Sequence, residues 1–194
     1  MANHVLSLLR SVQSGDVSPE DALVQLKLSP FEDLGYAKVD GHRAVRQGTA
    51  EVIYGQSKTP AQILGILETM HRQGCENVLV TRIPQETADI LSARFPVRYE
   101  PLSRLAVAFP APVEGRGSIV VCTGGTSDMG VAEEAAITAE VLGNHVTRLY
   151  DVGVAGLHRL LANLEPLMRA RVVIAVAGME GALASVVGGL VDCP

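Results

Sequence analysis

The sequence predicts an α/β protein, with a small N-terminal α+β domain over residues 1–115 and a parallel-sheet, nucleotide-binding domain over residues 116–194. Hydrophobic residues make up 47% of the chain and aromatic residues only 4%, an aliphatic composition usual for sheets covered by helices. Short apolar strands alternate with helical patterns in the second part. Pro110, Pro112 and Gly115 mark a linker between the two parts.

The composition also excludes several classes of function. The net charge is −5, no Lys/Arg-rich stretch is visible and there is no Trp, so binding to nucleic acid is not expected. The N-terminus lacks the pattern of a secretory signal, and the apolar runs are short and broken by glycine, so no membrane span is expected. Three scattered cysteines predict neither a disulfide framework nor a metal site. We expect a cytoplasmic protein.

Two helices are expected first. Apolar residues fall on one helical face over residues 3–12. Ser18 then serves as an N-cap, with Pro19 at the first helical position and an acid at the third, Asp21, which predicts a second helix that ends near Leu28. The two helices should form a hairpin.

A compact βαβαβ-like region should follow. Strands are predicted at 36–40 and 51–55. Thr59-Pro60-Ala61-Gln62 is a capping sequence, and it opens a helix that Gly74 closes. The remaining predicted elements are a strand at 78–81, a helix at 84–95 and a strand at 105–109.

The C-terminal domain should hold three parallel strands joined by right-handed helical crossovers. The strands are predicted at 118–122, 146–150 and 172–177, and the helices at 131–142, 156–168 and 181–190. Three strands make a small sheet, and residues 191–194 look like the start of a fourth. We therefore expect a C-terminally truncated domain, or one that a partner chain completes.

The first strand of this domain runs into the loop Thr123-Gly124-Gly125-Thr126-Ser127-Asp128. A strand that ends in glycines before a helix N-terminus offers backbone N–H groups and the helix dipole to a phosphate. Gly124 and Gly125 permit close approach, and the hydroxyls of Thr126 and Ser127 add donors. Asp128 would repel a phosphate, so a contact with sugar hydroxyls or a role in proton transfer suits it. The alternative is a plain strand–turn–helix junction with Asp128 as N-cap.

The other two strand ends carry similar loops. Gly153, after the second strand, lets the backbone approach a ligand. Gly178, Met179 and Glu180 follow the third strand, with Ser185 in the helix beyond. Glu180, flanked by small and apolar residues, suits acid–base work, or it simply complements the helix dipole. Three loops should therefore meet at the sheet edge where open α/β sheets bind ligands.

The loop and the helix after it resemble the PurE-type fold of the enzymes that carboxylate aminoimidazole ribonucleotide (AIR). In that family a Ser-Asp loop holds the phosphate and ribose of a mononucleotide. The purine enzymes also carry a Ser-Ala-His-Arg-Thr-like segment, which is absent here. Residues 151–159 and 177–190 are instead similar to the LarB family, as are Asp40, His42-Arg43, Arg46-Gln47-Gly48, Glu51-Val52-Ile53-Tyr54-Gly55 and Lys58-Thr59-Pro60.

The LarB resemblance covers nearly the whole chain and implies a PurE-like (flavodoxin-like) C-terminal domain. It also implies a reaction: nicotinic acid adenine dinucleotide is carboxylated at pyridinium C5 by CO2 or bicarbonate and hydrolysed to pyridinium-3,5-biscarboxylic acid mononucleotide and AMP. The product is a precursor of the nickel-pincer cofactor of lactate racemase. A nucleophile must first add to the ring, so that it becomes electron-rich enough to take CO2.

The same resemblance assigns roles to residues. Glu180 or Asp128 would act as the base. Asp40, Arg43, Arg46 and Lys58 would contact the substrate, the cations holding its carboxylate, its pyrophosphate or bicarbonate; the alternative for these cations is surface ion pairing. No tightly bound cofactor is expected, and Mg²⁺ would enter only with the substrate pyrophosphate. PurE-type folds form octamers, which implies a homo-oligomer.

One departure bears on activity. LarB proteins have a cysteine nucleophile in a later Ser-Cys-Ala-like segment, and Cys75, Cys122 and Cys193 do not match that context. We therefore expect the 194-residue chain alone to be inactive or badly impaired. Two alternatives stay open at this point: an AIR carboxylase or mutase of purine biosynthesis, and a non-catalytic nucleotide-binding fragment.

Overall fold

The computed structural model describes residues 2–28, 31–40, 43, 49 and 51–194. The chain divides into two compact units. Unit 1 comprises Met1–Tyr99 with Ala106–Ala111, and unit 2 comprises Glu100–Leu105 with Pro112–Pro194. Each unit has a hydrophobic core of its own. The α/β class predicted from the sequence is confirmed.

Unit 1 begins with the predicted pair of helices, α1 (Ala2–Ser14) and α2 (Pro19–Leu28). Ser18 caps α2 as expected, because its hydroxyl accepts a hydrogen bond from the backbone N–H of Asp21 at 3.0 Å. The same hydroxyl donates to the carboxylate of Asp21 at 2.7 Å. The capping sequence therefore fixes where α2 begins.

A two-stranded antiparallel sheet, β1 (Phe31–Asp33) with β2 (Lys38–Asp40), comes next. The strand predicted at 36–40 corresponds to β2, but no sequence pattern indicated β1. Its three residues include two acids, so it has no apolar alternation to detect.

The larger sheet of unit 1 has the strand order β3-β4-β6-β5. Strands β3 and β4 are parallel, whereas β4 and β6 are antiparallel, so the expected βαβαβ-like arrangement is wrong in its second half. The reason is β5, a strand of four residues whose alternation of Val97 and Tyr99 with Arg98 and Glu100 was not recognised in the sequence. The elements are β3 (Ile53–Tyr54), α3 (Pro60–Arg72), β4 (Val78–Thr81), α4 (Gln85–Ser92), β5 (Val97–Glu100) and β6 (Leu105–Ala108).

Helix α3 begins and ends as the sequence predicts. Thr59 and Gln62 form a reciprocal capping box at its N-terminus, with both hydrogen bonds present. Gly74, with φ +74°, follows its C-terminus. The predicted apolar face is buried in the core of unit 1 and consists of Ile63, Ile66, Leu67 and Met70.

Unit 2 contains a parallel sheet of three strands in the order β8-β7-β9. The central strand is buried on both faces, since Val120 and Cys122 enter one core cluster and Val121 enters another. The elements are β7 (Arg116–Thr123), α5 (Met129–Val141), β8 (Asn144–Leu149), α6 (Leu157–Leu161), α7 (Leu164–Met168), β9 (Val172–Val176) and α8 (Ala182–Gly188).

The helix expected over residues 156–168 is in fact two short helices, α6 and α7. Pro166 explains the break, because it has no N–H for the carbonyl of Ala162 and its ring would collide with that carbonyl in a continuous helix. Starting α7 at Leu164 places Pro166 in a first turn, where proline is tolerated. The side chain of Asn163 closes the gap by donating to the carbonyl of Arg159 at 2.8 Å.

Candidate functional site

Three loops follow the carboxyl ends of β7, β8 and β9. The strand register places Cys122 beside Leu149 and Thr123 beside Val176, so the three strands end at the same edge of the sheet. We call this the loop edge, and it consists of residues 123–128, 150–156 and 177–181. It is the edge at which the sequence predicted a ligand site.

Hydrogen bonds through Thr123 and Gly124 hold the first loop to the other two. The side chain of Thr123 is fully buried, and its hydroxyl oxygen accepts from the backbone N–H of Asp151 at 2.9 Å. The carbonyl of Thr123 accepts from the N–H of Val152, and the N–H of Gly124 donates to the carbonyl of Val176, both at 3.0 Å. The base of the loop edge is thus built from backbone groups with fixed partners.

Gly153 lies directly against the backbone of the first loop. A Cβ at this position would stand 2.3 Å from the carbonyl oxygen of Gly124, far inside contact distance. The sequence suggested that Gly153 lets the backbone approach a ligand. The structure shows another reason for a glycine at this position: the backbones of the first and second loops approach each other too closely for a Cβ.

Asp128 bridges the first and third loops. One carboxylate oxygen accepts from the N–H of Gly125 at 3.0 Å, and the other accepts from the N–H of Gly178 at 3.2 Å. Asp128 does not cap α5 through its side chain. Its carboxylate therefore occupies the N–H of Gly125, which the sequence had suggested for a phosphate, and its contact with Gly178 connects residues 50 positions apart.

Two other N–H groups are available for an anion. Thr126 and Ser127 open a 3₁₀ turn, Thr126–Asp128, that leads directly into α5. Both residues are exposed, and no acceptor for either backbone N–H is found in the part of the chain that the structure describes. The first N–H groups of a helix lack internal partners and carry its positive partial charge. The loop therefore offers a phosphate fewer backbone N–H groups than the sequence suggested.

The third loop is open to solvent. The side chain of Met179 is fully exposed, at 103% of its reference area, and its φ is +49°. Glu180 is exposed as well, so the apolar surroundings that its neighbours in sequence suggested are not present. Ser185 lies on the exposed side of α8. These exposed side chains are accessible to a ligand, but the structure does not preorganise them for binding.

The second loop carries an ion pair. Arg159, in α6, contacts the carboxylate of Asp151 at 2.5 Å, and both side chains are partly exposed. Gly156 makes room for this arginine, since a Cβ there would lie 2.7 Å from its Nε. Asp151 has a positive φ of 57° and is held by its hydrogen bond to Thr123.

An ionic network on α5 and β8 reaches the loop edge at Tyr150, and none of the predicted site residues belongs to it. Arg148, on β8, binds Glu133 at 3.0 Å and Glu140 at 2.5 Å, and the hydroxyl of Tyr150 donates to Glu133 at 2.7 Å. The hydrogen bond with Glu140 raises the pKa of Arg148, and burial, with Glu133 beside it, raises the pKa of Tyr150. The sequence signal was available: Glu133 and Glu140 are seven residues apart on a helix, and Arg148 and Tyr150 two apart on a strand.

We expect Arg148→Met to destabilise unit 2 by about 1–2 kcal/mol, because it leaves Glu133 and Glu140 without their shared cation in a half-buried place. Arg169→Met is the matched control. Arg169 forms a largely exposed ion pair with Glu165, so this substitution should change stability by less than about 0.5 kcal/mol. Urea denaturation measures both. Equal effects would show that the network contributes no more than a surface pair.

Cys122 is buried at the end of the central strand and has no exposed surface. Burial raises the pKa of its thiol to about 11. Since the thiolate is the reactive form, this cysteine is a poor nucleophile at neutral pH. The interpretation of Cys122 as a small buried hydrophobe agrees with these observations.

We expect iodoacetamide at mildly alkaline pH to leave Cys122 unmodified in the folded protein and to alkylate it once urea unfolds the chain. The half-buried Cys193 serves as the internal reference. Peptide mass spectrometry reads each site separately. Alkylation of Cys122 at the rate of Cys193 in the folded state would contradict the burial described here.

The predicted site residues of the N-terminal part, Asp40, Arg43, Arg46 and Lys58, belong to unit 1, whereas the loop edge belongs to unit 2. The backbone N–H of Asp40 donates to the carboxylate of Glu51 at 3.3 Å. Lys58 lines a cleft in the same unit, and the Nε of Arg43 is buried without a hydrogen-bond partner among the described residues. Arg46 lies outside the described residues.

Within the described ranges no group of three or more His, Cys, Asp or Glu side chains is placed to hold a metal ion. None of the helices in those ranges is long and apolar enough to cross a membrane.

Comparisons with known proteins cover both units. The family model for the LarB/PurE-like N-terminal domain matches residues 31–109, most of unit 1. An uncharacterized protein of Methanocaldococcus jannaschii is 32% identical over 206 aligned residues, which take in 100% of this chain and 80% of that protein. The similarity to that protein therefore extends through the loop edge of unit 2.

Proposed function

Because this chain belongs to the LarB/PurE-like family, we propose that unit 2 holds the substrate site of a carboxylase that acts on nicotinic acid adenine dinucleotide. The family supports a carboxylase-type activity in general. The observation that carries the proposal further is the loop edge, where backbone groups are fixed and two N–H groups at a helix N-terminus stay free for a phosphate.

The N–H groups and hydroxyls of Thr126 and Ser127 would bind a phosphate of the dinucleotide. Met179, whose side chain is fully exposed, would lie against the pyridinium ring. Cys122 is not a candidate for the nucleophile, because it is buried and its pKa is raised.

The sequence offered two carboxylates as the base, and we propose different roles for them. Both oxygens of Asp128 already accept backbone hydrogen bonds, so Asp128 suits a positioning role. Glu180 is exposed in the neighbouring loop and is the better candidate for the base. In the proposed reaction a nucleophile first adds to the pyridinium ring and makes it electron-rich, and C5 then forms a bond to CO2. The C5 proton passes to the base and the nucleophile leaves, which restores the aromatic ring. Water cleaves the phosphoanhydride to release AMP.

The remaining assignments rest on the family alone. Asp40, Arg43, Arg46 and Lys58 are proposed contacts for the substrate carboxylate and pyrophosphate, and Mg²⁺ is proposed to accompany the pyrophosphate. A homo-oligomer, an octamer by analogy, is proposed on the same ground.

The test offers the protein two substrates, nicotinic acid adenine dinucleotide and AIR, each with ¹³C-bicarbonate. We expect the dinucleotide to bind and AIR not to bind. Turnover should be badly impaired, because no cysteine of this chain matches the family's nucleophile, and what turnover occurs should release AMP with a mononucleotide heavier by one labelled CO2. Carboxylation of AIR would contradict the proposal and favour the purine reaction. Binding of the dinucleotide without turnover would favour a nucleotide-binding module.

A further inference from the structure

The helical hairpin at the start of unit 1, α1 with α2, lies outside the matched family model, which begins at residue 31. Residues 15–18 join the two helices, and so short a connection makes them antiparallel neighbours. The turn is fixed, because the backbone N–H groups of Asp16 and Val17 both donate to the carbonyl of Ser11, at 2.9 and 3.2 Å. The two helices therefore form a defined surface.

One side of this hairpin is apolar and exposed. The buried residues Leu8 and Ala22 mark the sides on which the two helices pack together. Leu9 and Leu23 each follow one of these residues by one position, and a step of one residue turns a helix by about 100°. In two antiparallel helices that face each other, this step leads to the same side of the pair. Leu9 is 55% exposed there and Leu23 52%, and Leu6, at 46%, lies further round the same side of α1.

We call this side, formed by Leu6, Leu9 and Leu23, the leucine face. The opposite side of the hairpin is polar, because Ser7 and Asp21 precede the packed positions by one residue and are both exposed. A surface hairpin needs apolar residues only where its helices pack together, and the leucine face lies outside that seam. A contiguous exposed apolar surface of this kind is typical of a contact with a partner.

The charges beside the leucine face complement one another. Helix α1 contains no acidic residue and carries Arg10, whereas α2 has Glu20 and Asp21 in its first turn. Arg10 and Glu20 both lie in the half of the hairpin next to the turn. Both side chains are exposed. Neither forms an ion pair with any residue that the structure describes.

A second copy of the chain matches both the apolar centre and the charges. A two-fold axis parallel to the helices lays α1 of each copy on α2 of the other, and every contact then occurs twice. Leu9 and Leu23 meet at the centre, and Arg10 of each protomer lies near Glu20 of its partner. An arrangement that lays α1 on α1 would instead bring two arginines together. The leucine face is therefore complementary to itself.

We propose that the leucine face joins two copies of this chain in a four-helix contact about a two-fold axis, with the leucines at its centre and Arg10–Glu20 pairs at its margins. The octamer proposed above by analogy does not specify which surfaces meet. The contact belongs to unit 1 and does not depend on the reaction proposed for unit 2.

Sedimentation equilibrium of the full chain tests the apolar centre. We expect Leu23→Glu to raise the dissociation constant of self-association at least about tenfold, because a carboxylate would be buried among leucines. Ser7→Glu adds the same charge on the polar side of the hairpin and should leave association unchanged. Both positions are exposed in the single chain, so both variants should keep the wild-type thermal midpoint, which separates lost association from unfolding. Contacts through unit 2 affect both variants equally, so their difference is the result that counts.

A charge reversal tests the arrangement. We expect Arg10→Glu to weaken association about fivefold, since the repulsion occurs at two symmetric places, and the added Glu20→Arg to restore it. No rescue by the second substitution would contradict the two-fold arrangement. A wild-type chain that stays monomeric at every concentration, or equal effects of L23E and S7E, would overturn the proposal. So would retention of the wild type but not L23E on phosphatidylcholine vesicles without any difference in mass, since this would assign the leucine face to a lipid surface.

Discussion

Gly153→Ala is expected to destabilise unit 2 by about 3 kcal/mol and to abolish nucleotide binding at the loop edge. The added Cβ would stand 2.3 Å from the carbonyl oxygen of Gly124. Backbone atoms cannot rotate out of the way as a side chain can, so one loop must move, and the cost falls at the upper end of the range for overpacking. Urea denaturation and titration with nicotinic acid adenine dinucleotide measure the two effects.

Gly188→Ala is the matched control for this substitution. Gly188 is in the same unit, at the end of α8, and nothing lies within 4 Å of the Cβ it would gain. We expect stability to stay the same or rise slightly, and binding to be unchanged. If both variants behaved alike, the contact between the second loop and Gly124 would have no role in forming the site.

The second large effect is expected for Asp128→Ala, which should lower the free energy of unfolding by about 2–3 kcal/mol. The substitution removes both acceptors that serve the N–H groups of Gly125 and Gly178. Hydrogen bonds to a charged group contribute about 1.5–3 kcal/mol each, and access of water to this edge reduces their sum. The stability of Asp128→Asn should lie between those of the wild type and Asp128→Ala, because the asparagine amide can accept a hydrogen bond from only one of the two N–H groups.

Amide NMR can show whether Asp128 joins the loops or acts only in chemistry. We expect the N–H signals of Gly125 and Gly178 to move upfield in D128A as their hydrogen bonds are lost. Asp192→Asn, an exposed acid in the same unit, should leave them in place. A D128A protein with wild-type stability and unchanged glycine signals, but without activity, would mean that Asp128 is the base and not a positioning residue.

Local signals in the sequence predicted much of the fold. Strand β4 was predicted with its observed bounds because four apolar or β-branched residues stand together. The start of α3 followed from the Thr59–Gln62 capping box. Strands β7 and β9 were found because buried parallel strands form continuous apolar runs.

What the sequence did not show depends on contacts between distant residues or on weak patterns. Strand β1 has no apolar alternation. Strand β5 does alternate, with Val97 and Tyr99 between Arg98 and Glu100, but it has only four residues and was not recognised, so the antiparallel pairing of β6 was missed. The break between α6 and α7 could have been found from Pro166 alone.

The glycines indicated where the three loops meet, but the sequence did not show the hydrogen bonds of Asp128. Its partner Gly178 lies 50 positions away, and no spacing rule joins them. Gly153 was predicted as a ligand contact, and the folded structure shows in addition that it meets the backbone of Gly124. Residue types at strand ends thus indicate where a site lies, and the hydrogen bonds decide which atoms stay available to a ligand.

The most direct measurement of the central claim is a ¹H–¹⁵N titration of the labelled chain with nicotinic acid adenine dinucleotide. The claim is that the loop edge of unit 2 binds the nucleotide through the N–H groups of Thr126 and Ser127. We predict that these two amides show the largest shifts and that Gly188→Ala preserves them, whereas Gly153→Ala removes them. Binding that leaves the Thr126 and Ser127 amides unmoved would contradict the claim.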